Sequence, residues 1–86
     1  MPSGLYAYTL RLHRDVVSTL YKMPRKAVED TCDILRSLEK DPTPEASLVV
    51  EGHELTYQIR TDGYRIVYGI YEEEKAIKVV RLHLVE

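Results

Sequence analysis

The chain has 86 residues, a formal net charge of -2 and a single cysteine, Cys32. That length fits one small domain over residues 1–86, and the charge offers no global attraction to nucleic acid or to an anionic membrane. One thiol excludes an internal disulfide and a CxxC metal pair, and the absence of a long apolar run or a signal-peptide pattern makes a cytoplasmic protein the expectation.

Residues 5–12 alternate, with Tyr6, Tyr8, Leu10 and Leu12 on one side and Ala7, Thr9 and Arg11 on the other. This predicts a half-buried strand. A short helix follows over Arg14–Lys22, with Val16, Val17, Leu20 and Tyr21 as its apolar side. Pro24 closes it and opens a second helix over Pro24–Lys40, because proline suits a first helical turn. On that helix Val28, Cys32 and Leu35, joined by Thr31 and Leu38, fall on one face. Asp41-Pro42-Thr43-Pro44 stops it.

A connection over residues 45–53 has room for a short strand at Leu48–Val50. Three strands are then predicted, at Leu55–Arg60, Tyr64–Tyr71 and Lys75–Leu84. The first two are joined at Thr61-Asp62-Gly63, and Asp-Gly between alternating runs is a strong hairpin signal. The last two are joined across Glu72-Glu73-Glu74, which reads as a solvated tip. The order strand-helix-helix-strand-strand-strand predicts an α+β fold, a helical hairpin packed on a mainly antiparallel four-stranded sheet. Val28, Cys32, Leu35, Leu38, Ile66 and Tyr68 are the expected core.

On the strand 55–60, Thr56, Gln58 and Arg60 form a polar strip on one sheet face. Arg65 lies across the hairpin, and Arg81 lies on the next strand again. Two or three arginines on one sheet face suit a phosphate group, because the guanidinium fork is planar and always charged. The competing reading is that each arginine pairs with a nearby acid or stays hydrated. Gln58 and Arg81 are the candidates for holding a substrate. His13, His53 and His83 have no metal-ligand spacing, and His83 is the one placed beside the arginine-bearing hairpin. Cys32 reads as a small core filler. Tyr57, Tyr64 and Tyr68 read as packing residues. No P-loop, GxGxxG, HExxH or Ser/His/Asp order occurs, so no cofactor and no metal are expected.

The string Tyr57-Gln58-Ile59-Arg60-Thr61-Asp62-Gly63-Tyr64-Arg65-Ile66-Val67-Tyr68 closely resembles the hairpin of the RelE/ParE superfamily of toxins from type II toxin–antitoxin pairs. The opening strand, the helical hairpin ending in Leu35-x-x-Leu38-x-x-x-Pro42, the stretch Leu48-Val49-Val50-Glu51-Gly52 and the final Ile77-Lys78-Val79-Val80-Arg81-Leu82 are similar too. The resemblance implies a toxin held by a cognate antitoxin. In RelE-type members it implies cleavage of messenger RNA in the ribosomal decoding site, by attack of the 2′-hydroxyl on the adjacent phosphate. Arg65 then inherits the phosphate-stabilising role, Arg60 a supporting one, and His83 stands in as acid or base.

This sequence also departs from the RelE-type pattern. Thr56 and Gln58 stand where those enzymes place basic residues. The arginine and tyrosine that follow their last strand have no counterpart at Leu84–Glu86. The resemblance therefore leads us to expect weak or absent RNA cleavage. The alternative it offers is a ParE-like toxin that acts on DNA gyrase by contact alone, whose final strand Arg81-Leu82-His83 resembles loosely. A third reading is a domain alike in fold only.

Overall fold

The computed structural model describes residues 8–53, 55–61 and 63–85. In chain order these form β1 (Thr9–Leu12), α1 (Arg14–Lys22), α2 (Arg25–Leu38), β2 (Leu48–Val49), β3 (Thr56–Thr61), β4 (Tyr64–Tyr71) and β5 (Ala76–Leu84). The strands make one five-stranded sheet in the order β1-β5-β4-β3-β2. Only β1 runs parallel to its neighbour, β5; every other pair is antiparallel. The class is the expected α+β. The fifth strand is the short β2, which extends the sheet beyond β3. Tyr6 and Ala7 of the first predicted strand, and Asp62 of the hairpin turn, lie outside the described residues.

Local chemistry sets the element ends. His13 caps α1, its Nδ1 accepting from the backbone N–H of Asp15 at 3.0 Å. Pro24, extended at φ -60, is the N-cap of α2. Asp41 ends the second helix by accepting from the Thr43 N–H at 3.2 Å, and two prolines follow. Gly63 sits at φ +81 in the β3–β4 turn, a backbone state that suits glycine. Leu55 and Lys75, at φ 59 and 51, fall just outside the strands predicted to begin with them.

Both helices cover one face of the sheet. Val16 of α1, Met23 between the helices, and Ala27, Leu35 and Leu38 of α2 pack over Ile59, Ile66, Tyr68, Ile70, Ile77, Val79 and Leu82. Burying an aliphatic side chain of this size is worth about 1.5–3 kcal/mol. Tyr68, with no exposed surface, sits at the centre. Its Oη donates to the Pro42 carbonyl at 2.7 Å, which ties the end of α2 to the middle strand. Its ring stacks on Tyr57 at 5.9 Å between centroids, and burial pushes its phenol up to about 12. Tyr57 and Tyr64 also pack against this core.

Two expectations need correction. The inward stripe of α2 is Ala27, Thr31, Leu35 and Leu38, so Val28 and Cys32 are only half-buried. One residue turns a helix by about 100°, and rows 27-31 and 28-32 both continue to Leu35; the small Ala27 lets α2 approach the sheet. Val28 and Cys32 instead line a shallow groove beside Leu12 and Leu20. Tyr21 is 86% exposed and is no part of the core.

Thr31 is fully buried, and its Oγ1 has no hydrogen-bond partner among the described residues. An unsatisfied buried hydroxyl costs about 1–3 kcal/mol. Thr31→Val removes that cost at nearly constant volume, so the urea unfolding free energy should rise by about 1 kcal/mol. A loss of stability would mean the hydroxyl is satisfied.

Candidate functional site on the open sheet face

The face of the sheet opposite the helices carries the polar strips. Cross-strand register arranges them in rows. Arg60 lies opposite Arg65, and Arg65 lies opposite His83. One step along, Gln58 lies opposite Val67, which lies opposite Arg81, with Leu48 of β2 beyond Gln58. Directly opposed side chains sit about 5 Å apart at Cβ. The three candidate catalytic residues thus share one row, and the two candidate substrate-holding residues share the next.

A bulge makes this possible. Val67 pairs with Arg81 but Tyr68 pairs with Val79, so Val80 is an extra residue in β5. Strict alternation from Ile77 and Val79 would send Arg81 and His83 under the helices. The bulge instead keeps Leu82 in the core at 5% exposure and turns Val80 and Arg81 outward together. Bulges commonly re-aim side chains in this way. The sequence signal is the apolar spacing Ile77, Val79, Leu82, which steps by two and then by three.

The open face forms a cavity of about 480 Å³. Val50, His53, Thr56 and Gln58 make one wall, Arg65 and Val67 the floor, and Val80, Arg81 and His83 the other wall. Arg60, exposed at the end of its row, does not line the cavity. His53, which the sequence reading set apart from His83, lines the same cavity. It is brought there by the turn after β2, where the His53 N–H donates to the Val50 carbonyl at 3.2 Å and Gly52 takes φ +85. No spacing pattern announces that placement.

The ion pairs lie elsewhere. Among the described residues, carboxylates pair with His13, Arg25, Lys26, Lys75 and Lys78, and none with Arg60, Arg65 or Arg81. Of the two competing readings, pairing with an acid finds no partner among the described residues, which leaves these arginines hydrated there. Arg65 Nε and His83 Nε2 are buried without a hydrogen-bond partner among the described residues. Burial, then the neighbouring Arg65 and Arg81 guanidiniums, holds the His83 imidazole below its ordinary pKa. That direction favours the neutral imidazole, and Arg65 and Arg81 offer an anion positive charge that no carboxylate among the described residues pairs with. Among the described residues no group of His, Cys, Asp or Glu side chains could hold a metal ion, and no helix is long and apolar enough to cross a membrane.

The sequence matches no protein-family model and no curated protein. Solved structures do match. The archaeal RelE–RelB complex from Pyrococcus horikoshii superposes with a TM-score of 0.82 at 25% identity, over 91% of this chain and 94% of that one. The isolated Escherichia coli RelE toxin gives 0.83 at 24% identity, over 93% and 86%. The chain carries the RelE/ParE toxin fold. The intact E. coli RelBE toxin–antitoxin complex gives 0.81 at 26% identity over 93% and 99%, so the RelE likeness spans almost the whole of both chains.

In this RelE-like chain the bulge predicts an order of sensitivities. Leu82→Ala should cost about 2–5 kcal/mol, as a core truncation. Arg81→Ala should change stability by no more than about 0.5 kcal/mol. Urea denaturation of both variants checks this, and the reverse order would contradict the register. The lowered pKa of His83 gives a second test. Above the ordinary value of 6.5 both folded and unfolded states hold it neutral. As pH falls below that value the unfolded chain takes up the proton first, so stability is lost until the folded imidazole also titrates. Stability measured from pH 7 to 5 should therefore fall less steeply in His83→Gln than in the wild type.

Proposed function

We propose that this chain is the toxin of a type II toxin–antitoxin pair, and that it inhibits translation by cutting messenger RNA within the ribosome. The fold likeness to RelE, both free and bound to RelB, supports the toxin reading. The observation that carries the nuclease reading is the row Arg60–Arg65–His83, with its arginines unpaired among the described residues.

The cleavage needs a base for the 2′-hydroxyl, charge stabilisation for the phosphorane and protonation of the leaving oxygen. His83 is the base, Arg65 stabilises the phosphorane, and Arg60 adds charge from the end of the row. Gln58 and Arg81 hold the neighbouring backbone. Cleavage is slow, because Thr56 and Gln58 supply no charge and a net charge of -2 weakens attraction to ribosomal RNA.

The partner is an antitoxin whose apolar segment lies in the groove of Leu12, Val17, Leu20, Tyr21 and Val28. Arg11, Arg14 and Lys22 on β1 and α1 give this side of the molecule an excess of positive charge, which suits an acidic amphipathic segment. Co-expression with the product of the adjacent gene should yield a stable complex.

A ribosome-programmed cleavage assay tests the reading. The wild type should cut messenger RNA slowly, and Arg65→Ala should lower the rate by about 10²–10³, as for a lost oxyanion donor. Growth arrest without cleavage would instead assign the chain to the contact-only alternative directed at DNA gyrase.

A further inference from the structure

The mechanism above uses the charged row of the open face and leaves the apolar part of the cavity without a task. Val67 and Val80 line the same cavity as Arg65. The strand register fixes where Val67 stands. It is two residues along β4 from Arg65, about 7 Å away on the same face. It lies directly opposite Gln58 on β3 and directly opposite Arg81 on β5. Each opposed pair is about 5 Å apart at Cβ. An aliphatic floor therefore adjoins the arginine that holds phosphate, with an amide on one side and a guanidinium on the other. The bulge adds Val80 to this floor, because it turns Val80 outward together with Arg81 and leaves the valine 47% exposed.

A phosphodiester has no use for valine methyls, and it matches only part of Gln58. Its oxygens are acceptors, whereas the amide offers donors on nitrogen and an acceptor on oxygen. Holding backbone engages the nitrogen and leaves the carbonyl facing an anion. A nucleobase fits the whole set. Its flat faces can lie on aliphatic side chains, and its edge presents a donor beside an acceptor. An apolar surface with a few convergent polar groups is the usual make-up of a small-ligand site. One nucleotide spans the step from Arg65 to Val67, phosphate first, then sugar, then base.

We propose that the open face seats a whole nucleotide: the base next to the phosphate on Arg65 lies over Val67 and Val80, and Gln58 reads its edge in favour of adenine. The inference rests on the reading above that RNA phosphate is held by Arg65. Adenine presents the N7 acceptor beside the N6 donor, which a glutamine amide matches with two hydrogen bonds. On the same edge guanine presents N7 and O6, both acceptors, so the Gln58 carbonyl meets an acceptor. The pyrimidines have no N7 and cover less of the floor. Arg81, on the other side of Val67, keeps its hold on the backbone, because its fork of donors suits phosphate. Gln58 makes and breaks no bond in this assignment; it sets which base is accepted beside the bound phosphate.

The test is an NMR titration of the full chain with 2′-O-methyl trinucleotides of adenosine, guanosine or uridine, and with an abasic trimer that offers phosphate alone. A base lying on the valines moves their methyl signals upfield by its ring current, and phosphate alone does not. The adenosine trimer should shift the Val67 and Val80 methyls upfield, and the abasic trimer should shift Arg65 only. The adenosine trimer should bind at least about fivefold more tightly than the guanosine or uridine trimer, the lower end of what a matched pair of hydrogen bonds discriminates. Gln58→Leu should bring the ratio of those Kd values to within about twofold of one, with core methyl signals reporting that the variant is folded. Arg65→Ala should weaken all the trimers. Binding at Arg65 with the valine methyls unmoved in the wild type overturns the seat, whatever the variants do. Equal affinities, a preference for another base, or an adenine preference kept in Gln58→Leu overturns the role of Gln58. Each of these leaves the phosphate site and the nuclease reading standing. A wild type in which no trimer shifts Arg65 overturns the seat and the phosphate site together.

Discussion

Between Val67 and Tyr68 the β4–β5 ladder slips by one residue, and the division of the sheet into a closed and an open face depends on that slip. Ile77, Val79 and Leu82 all belong under the helices, yet their spacing cannot be met by a regular strand. Keeping Leu82 exposed would forfeit about 1.5–3 kcal/mol of burial. Placing Arg81 beneath the helices would strand a charge in apolar surroundings at far greater cost. The bulge satisfies both demands. It also sets His83 beside Arg65 on the solvent side. The apolar requirement of one face thereby fixes the chemistry of the other.

On the closed face Tyr68 holds the layers together. Its ring fills the centre of the core, and its hydroxyl reaches the Pro42 carbonyl just beyond α2. The segment that follows α2 can therefore not lift from β4 without breaking this part-buried hydrogen bond. This rigidity serves the open face, because β4 presents Tyr68 to the helices and Arg65 to solvent from the same backbone. A phosphate site needs guanidiniums held in place before the anion arrives, and a strand paired on both sides provides that.

Much of this was legible in the sequence. The bounds of β4 and α1 follow from alternation and from the residues that stop them, and the Asp-Gly signal located the β3–β4 hairpin. The Arg60–Arg65 pairing follows from that hairpin alone. Other features depend on contacts between distant segments. The α2 stripe could begin at Ala27 or Val28, and only the sheet decides between them. The parallel pairing of β1 with β5 joins the two ends of the described chain, which no local pattern encodes. His53 enters the site through a turn at Gly52, so its distance in sequence from His83 concealed their shared cavity. The bulge was readable from the spacing of Ile77, Val79 and Leu82, but strict period-2 reading passes over it.

The central claim is that RNA phosphate binds the open face of the sheet, between Arg65 and His83. The most direct measurement is an NMR titration of the protein with a short 2′-O-methyl oligoribonucleotide, which binds but cannot react. An anion beside His83 favours its protonated form, so the imidazole pKa should rise on binding, and shifts should concentrate on Arg65, Arg81, His53 and His83. Shifts confined to α1 and α2, with the His83 titration unmoved, would contradict the account.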